Sequence, residues 1–187
     1  MTDRAALPTS DEAAIGRRPL LGALGAALAG LHGLAQAQTP PADEARAAPP
    51  PPLGSRLALP ELPLLDGRVL RPADLASQVV VLYWWASWCP FCAVQSPLID
   101  RLDRAQRARG LRVVGLSIDR KPEDATAYLA RRGYGFASAW VSPALQRALP
   151  KPKGLPVTVV LGRDGRVVMS ESGQLFPEDI DAIAAFL

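Results

Sequence analysis

A pair of cysteines placed directly after an apolar run constrains the fold of this chain more than any other feature. Residues 88–92 read Trp-Cys-Pro-Phe-Cys, and only two residues separate them from the apolar residues 79–85. A proline after the first cysteine suits the first position of a helix, where its missing N–H is not needed. The pattern predicts a buried strand that leads into a helix, with a C-x-x-C at the helix start. That arrangement is typical of a dithiol/disulfide redox centre.

Cys89 and Cys92 are the two cysteines of the sequence. At a helix start, unpaired backbone N–H groups and the helix dipole favour the thiolate form of the first cysteine. The thiolate is the attacking species in thiol–disulfide exchange. We therefore expect the pair to cycle between a dithiol and a small disulfide.

Other interpretations of the pair fit less well. A zinc site needs four protein ligands, or three and a water, but the sequence has no third cysteine and only one histidine, His32. A purely structural disulfide between residues three apart would restrict the unfolded chain little. A peroxide-reducing cysteine of the peroxiredoxin type expects Thr or Ser three residues earlier and Pro seven earlier, where this chain has Ala86 and Leu82.

Residues 1–37 have the pattern of an export signal. A charged start ends in Arg17 and Arg18, a run rich in Leu, Ala and Gly follows, and residues 35–37 (Ala-Gln-Ala) offer a cleavage site. The arginine pair resembles a twin-arginine signal, so export by that route or by Sec is expected, to a periplasm. The alternative is an uncleaved segment that anchors the protein to the inner membrane, but the run is short for a spanning helix.

Cleavage would remove His32 and leave a mature chain without histidine. That loss would exclude Ser–His, Cys–His and His–metal chemistry together. The net charge is small, +3 from 21 basic and 18 acidic residues, and the charges are interspersed. This distribution gives no nucleic-acid footprint, so we expect neither a nucleic-acid partner nor a metal.

Composition divides the remaining chain in two. Residues 38–56 are rich in Pro and Ala, which predicts an extended, unpacked linker. Residues 57–187 show regular patterns and are expected to form one domain. Its predicted strands lie at 62–65, 68–70, 79–85, 111–118, 157–161 and 166–169, and its predicted helices at 90–109, 122–132, 142–149 and 177–187. Strand, helix and strand followed by a hairpin and a helix indicate an α/β sandwich.

Several segments of the domain together resemble the thioredoxin superfamily and, more narrowly, the TlpA/ResA-like exported thiol-disulfide oxidoreductases of the redoxin family. They are the strand and C-x-x-C of residues 83–92, Pro97 within the helix, residues 154–158 (Gly-Leu-Pro-Val-Thr) and the hairpin of residues 162–168. The Asp-Gly turn at residues 66–67 matches the N-terminal extension of that family. The resemblance implies a thioredoxin-like three-layer α/β/α sandwich with an N-terminal β-hairpin extension.

The resemblance also assigns roles to site residues. Cys89 would be the nucleophile and Cys92 the buried resolving thiol that releases a mixed disulfide. Pro156 would be a cis-proline facing the disulfide, so that the Leu155 backbone pairs with a substrate strand; the alternative is an ordinary trans loop proline. Trp88 before the first cysteine, and Pro90 and Phe91 between the two cysteines, would support the site. Trp88 would also offer an apolar docking surface; the alternative is that it packs in the core.

At two positions the sequence lacks a buried acidic residue that moves protons in its relatives. Gln95 stands where many relatives have a glutamate, and Tyr83 stands where thioredoxins have an aspartate.

The expected function is that of a periplasmic reductant of protein disulfides, recharged by a membrane electron-donor protein. Cytochrome c maturation is one pathway that the family resemblance alone suggests. The alternatives are an oxidant that introduces disulfides and a non-catalytic binding module. No cofactor beyond the Cys89–Cys92 dithiol is expected.

Overall fold

A computed structural model describes residues 47–187 of the chain. The predicted export signal, His32 and residues 38–46 of the predicted linker lie outside the described residues. Within the described range, no helix combines the length and the apolar character needed to span a membrane.

The described residues alternate between strands and helices. In chain order the elements are β1 (Leu62–Pro63), β2 (Val69–Leu70), β3 (Val79–Trp85), α1 (Pro90–Gln106), β4 (Leu111–Ser117), α2 (Pro122–Arg132), β5 (Ala137–Trp140), α3 (Pro143–Ala148), β6 (Val157–Leu161), β7 (Val167–Ser172) and α4 (Pro177–Ala182). Short 3-10 turns add Pro72–Leu75, Arg107–Arg109 and Ile183–Phe186. The bounds of β3, α2 and β6 are those predicted, and most of the other predicted elements differ by a few residues at their ends.

A central sheet positions the cysteine pair. Its strand order is β5-β4-β3-β6-β7, with β3, β4 and β5 parallel and β6 and β7 antiparallel to their neighbours. A separate hairpin is formed by β1 and β2. Since β3 and β6 are antiparallel, with Trp84 opposite Val157, the last residues of β3 and the first residues of β6 are neighbours. They lie at the same edge of the sheet, the one formed by strand ends rather than by an outer strand. Residues 86–92 and residues 154–156 therefore meet at this edge.

Both faces of β3 are covered, as the continuous apolar run predicts. Tyr83 and Trp85 point into a core that includes buried residues of α1, α2 and α4. Leu82 and Trp84 point to the opposite face, into a core with residues of β1 and α3. The central strand that leads into the cysteine pair is thus fixed on both sides.

Proline and glycine mark the helix ends. Within residues 47–187, each of the four α-helices starts at a proline, at Pro90, Pro122, Pro143 and Pro177. Proline suits this position because its fixed backbone angle is helical and its missing N–H is not required. Gly110 and Gly133 end two helical segments in the left-handed conformation that glycine adopts at low cost.

The strand β5 was not predicted from the sequence. Its residues, Ala-Ser-Ala-Trp, form no apolar run and no alternation long enough to indicate a strand. It forms because the neighbouring parallel strand β4 offers its free edge, with Leu116 opposite Ala139. Tertiary pairing, rather than local propensity, decides this element.

The buried face of the helix α1 is not simply the face of its apolar residues. Val94 is 55% exposed, whereas Gln95 is fully buried. The buried stripe combines apolar and polar residues: Cys92, Gln95, Ser96, Ile99, Asp100, Leu102 and Asp103. The polar residues of this stripe find hydrogen-bond partners inside, as Ser96 does with Tyr83 and Gln95 does with Thr158.

The prediction of an unpacked linker up to residue 56 is wrong for its last part. The N–H of Gly54 donates to the carbonyl of Val167 (2.8 Å), and the N–H of Val167 donates to Ser55 (2.9 Å). Arg56 forms an antiparallel bridge with Arg166. The strand β7 is an edge of the sheet, and its unpaired backbone groups attract this extended segment.

Candidate active site

The two cysteines form a disulfide at the start of α1. Cys89 is the N-cap residue with extended backbone angles (φ −84°, ψ 116°), and Cys92 lies in the first helical turn. The N–H of Cys92 donates to Cys89 Sγ at 3.1 Å. The cap thus gives one of the unpaired N–H groups of the helix to the sulfur that would become the thiolate.

The two sulfur-bearing residues differ little in exposure. Cys92 is 1% exposed and Cys89 is 4% exposed, so access to Cys89 is narrow. The side chains beside it are open, since Trp88 is 62% and Phe91 is 58% exposed. Pro90 is exposed as well. Trp88 is therefore not a core residue, and an apolar surface borders the disulfide.

The segment before β6 lies at the same sheet edge as the disulfide. The peptide bond between Leu155 and Pro156 is cis, as the resemblance implied. Pro156 is buried, and its carbonyl accepts the N–H of Gly173 (2.8 Å). Within residues 47–187, neither the N–H nor the carbonyl of Leu155 has a backbone hydrogen bond. This leaves Leu155 able to pair with an added strand.

Neutral polar groups lie behind the disulfide. The Tyr83 hydroxyl is 3.0 Å from Ser96 Oγ and donates to the Cys92 carbonyl at 3.3 Å. The Gln95 amide donates to Thr158 Oγ1 (2.9 Å) and accepts the N–H of Leu175 (2.7 Å). The two positions where relatives carry acids thus hold uncharged side chains, each with hydrogen-bond partners.

A buried carboxylate that the sequence analysis missed also reaches the site. Asp119 follows β4 and accepts hydrogen bonds from Ser87, two residues before Cys89. The sequence does contain a signal for this residue, because Asp119 directly follows the end of a strand that is parallel to β3. The carboxyl ends of neighbouring parallel strands lie at the same sheet edge.

The folded protein should lose stability at alkaline pH because of the buried Tyr83 hydroxyl. Burial raises the pKa of Tyr83 above its usual value, and the hydrogen bond with Ser96 only partly offsets this. The unfolded chain then loses the phenolic proton from about pH 10 while the folded protein keeps it. The free energy of unfolding is therefore highest below that pH. Above it, this group lowers the free energy of unfolding by about 1.4 kcal/mol per pH unit. We expect denaturant unfolding of Tyr83→Phe to lack this fall.

The comparison with wild type isolates the effect from other alkaline transitions. At pH 8, Tyr83→Phe should be less stable by about 1–2 kcal/mol, because it loses the hydroxyl contacts. That gap should narrow between about pH 10 and 11. Tyr134→Phe is the graded control, since Tyr134 is only partly buried; burial raises its pKa too, so its gap should narrow with pH as well, but less than that of Tyr83→Phe. A gap for Tyr83→Phe that stays constant with pH would contradict the assignment.

Comparison with known proteins gives a family and a fold. The Redoxin family model matches residues 45–185. The chain is 30% identical over 115 residues to probable nucleoredoxin 3 of Oryza sativa, which covers 59% of this chain and 24% of the relative. It is 27% identical over 130 residues to the thiol:disulfide interchange protein HelX of Rhodobacter capsulatus, covering 69% and 65%. The chain thus matches less than two thirds of the length of either relative.

A solved structure supports the fold. The thiol:disulfide interchange protein of the thioredoxin family from Chlorobium tepidum matches with a TM-score of 0.62 at 22% identity. The match covers 74% of this chain and 93% of that one. At this identity the likeness concerns the fold alone, and it confirms the predicted thioredoxin-like α/β architecture.

Proposed function

The chain belongs to the redoxin family, and from that premise we propose that it is a protein thiol-disulfide oxidoreductase of an exported, periplasmic type. The observation that carries the proposal is the Cys89–Cys92 disulfide at the start of α1, with Cys89 Sγ accepting a backbone N–H. A disulfide held at a helix start can accept two electrons and two protons and return them.

The proposed cycle uses both cysteines of the reduced protein. The Cys89 thiolate attacks a disulfide of a partner protein, forming a Cys89–partner bond and releasing one partner thiolate, which takes up a proton. Cys92 then loses its proton and attacks Cys89 Sγ. This step re-forms the Cys89–Cys92 disulfide and releases the second partner thiol. The partner gains two electrons, and the oxidised pair must be reduced again by another dithiol protein.

The direction we propose is reduction of selected protein disulfides, with recharging by a membrane electron-donor protein. Relatives that carry the name thiol:disulfide interchange protein support exchange with protein thiols. A role in cytochrome c maturation rests on the resemblance to the TlpA/ResA-like proteins. The signal-like residues 1–37 support export by a twin-arginine-like or Sec route, or retention at the inner membrane if they stay uncleaved.

We assign substrate docking to the surface around the disulfide. Trp88 and Phe91 would contact apolar side chains of the partner next to its cysteine, and Pro90 would fix the helix start between them. The backbone of Leu155, held by the cis bond to Pro156, would add a strand of the partner to the edge of the site.

Equilibration of residues 38–187 with glutathione and dithiothreitol buffers tests this function. We expect a reduction potential near or below that of thioredoxin, about −270 mV, which requires a donor to keep the pair reduced. A value near that of DsbA, about −120 mV, would instead make the protein an oxidant. Insulin reduction with dithiothreitol completes the test, because a protein that gives no rate there would be a binding module.

A further inference from the structure

The Asp119 carboxylate is buried and fully engaged by neighbouring donors. Asp119 is 3% exposed. Its oxygens accept the N–H of Ser87 (3.1 and 3.2 Å), the Ser87 hydroxyl (2.7 Å) and the Ser117 hydroxyl (2.8 Å). Within residues 47–187, no Lys or Arg side chain forms an ion pair with it. A buried carboxylate is costly unless hydrogen bonds compensate it, so its placement depends on these donors.

Two of the three donor groups belong to the short connection that carries the nucleophilic cysteine. Ser87 lies between the end of β3 and Cys89. The same connection contains a turn in which the N–H of Cys89 donates to the carbonyl of Ala86 (3.2 Å). A hydrogen bond from Ser87 therefore fixes the connection immediately before the helix cap.

Asp119 itself is held from the other side. The Trp140 indole N–H donates to the Asp119 carbonyl at 2.7 Å, and the Asp119 N–H donates to Ser117 Oγ at 3.1 Å. The N–H of Ile118 donates to the Trp85 carbonyl at 2.9 Å, which continues the pairing of β4 with β3. The carboxylate is thus a fixed point of the sheet to which the cysteine-bearing connection is tied.

We propose that Asp119 is a positioning residue for the exchange reaction, acting through Ser87 to hold Cys89 at the helix cap; this inference rests on the proposed function. The Cys92 N–H reaches Cys89 Sγ only when Cys89 keeps its extended cap conformation. Without the carboxylate, Ser87 loses its fixed hydrogen-bond acceptor. The extended cap conformation of Cys89 is then only one of several conformations that the residue adopts. The thiolate then loses its backbone donor and its orientation, and both losses slow its attack.

The rate of Cys89 alkylation by iodoacetamide in the fully reduced protein tests the proposal without any protein substrate. Fragment-ion mass spectrometry of the peptide that carries both cysteines would assign the label to Cys89 rather than Cys92. We expect Asp119→Ala to slow alkylation about tenfold. Asp119→Asn keeps a carbonyl oxygen that accepts the Ser87 N–H, so it should restore the rate to within about threefold of wild type. Ser87→Ala keeps its N–H and should give an intermediate rate.

Asp103→Ala is the control, because Asp103 is also a buried carboxylate that accepts a backbone N–H, from Val113 (3.2 Å), although it pairs with Arg107 and lies near the end of α1 opposite the cysteines. It should lower stability and leave the alkylation rate at the wild-type value. A wild-type rate in both Asp119→Ala and Ser87→Ala would overturn the proposal, as would equal slowing in Asp103→Ala. A normal pattern of alkylation rates with no insulin reduction by wild type would overturn the proposed function instead.

Discussion

Cys89→Ser is expected to abolish disulfide exchange, lowering the rate of insulin reduction by at least about a thousandfold. A serine hydroxyl stays protonated at neutral pH, and its oxygen forms no mixed disulfide with a partner. Cys89 caps α1 and receives the Cys92 N–H, so its sulfur is the one that the helix start favours as a thiolate. The measurement is the turbidity of insulin with dithiothreitol, corrected for the uncatalysed rate.

Cys92→Ser is the control that separates the two cysteines. Cys92 lies within the first turn of α1 and is bonded to Cys89, so it is placed to attack the Cys89 sulfur of a mixed disulfide. Its loss should leave the first attack intact and remove the release step, so mixed disulfides through Cys89 should accumulate on non-reducing gels. Accumulation in Cys89→Ser instead would reverse the assigned roles. Wild-type turnover in both variants would show that the pair does not carry the reaction.

Helices and strands whose ends are marked by nearby residues were predictable from the sequence. The strand β3 is a continuous apolar run, and α2 is bounded by Pro122 and Gly133, so their bounds follow from residues close to each end. The strand β5 lacks such a signal, because four small or aromatic residues pair only when β4 is already in place. The docking of residues 54–56 on β7 has the same cause, since only the folded sheet creates the edge they cover.

The residues of the candidate site also differ in how far they could be predicted from the sequence. Cys89 and Cys92 are three positions apart directly after an apolar run, a pattern that predicts a redox pair, and the resemblance to the TlpA/ResA-like proteins implies the separate role of each cysteine. Asp119 contacts Ser87 across 32 positions of the chain, and Gln95 contacts Thr158 across 63. Such partners depend on which strands are adjacent in the sheet, and an order that places β3 between β4 and β6 is not visible in local patterns.

Gly115→Ala is expected to destabilise the folded protein by about 3 kcal/mol, because β4 crosses the aromatic core with no room for a side chain. An added Cβ would overlap Ser138 Oγ and come within 2.8 Å of both the Phe136 ring and Trp85 Nε1. Trp85 is fully buried and Phe136 nearly so, and their rings pack edge to face at 6.3 Å. Neither ring can withdraw without disturbing the other.

Denaturant unfolding of a small set of variants measures this overlap. Gly133→Ala is the control, since nothing lies within 4 Å of its added Cβ, and only the left-handed backbone (φ +67°) should cost about 1 kcal/mol. Adding Ser138→Ala to Gly115→Ala should recover part of the loss, because the overlapping hydroxyl disappears. That hydroxyl has no hydrogen-bond partner among the described residues, so Ser138→Ala alone should be nearly neutral. Equal losses in Gly115→Ala and Gly133→Ala would mean that the two rings yield, and that the core behind the cysteine pair is less tightly packed than its contacts indicate.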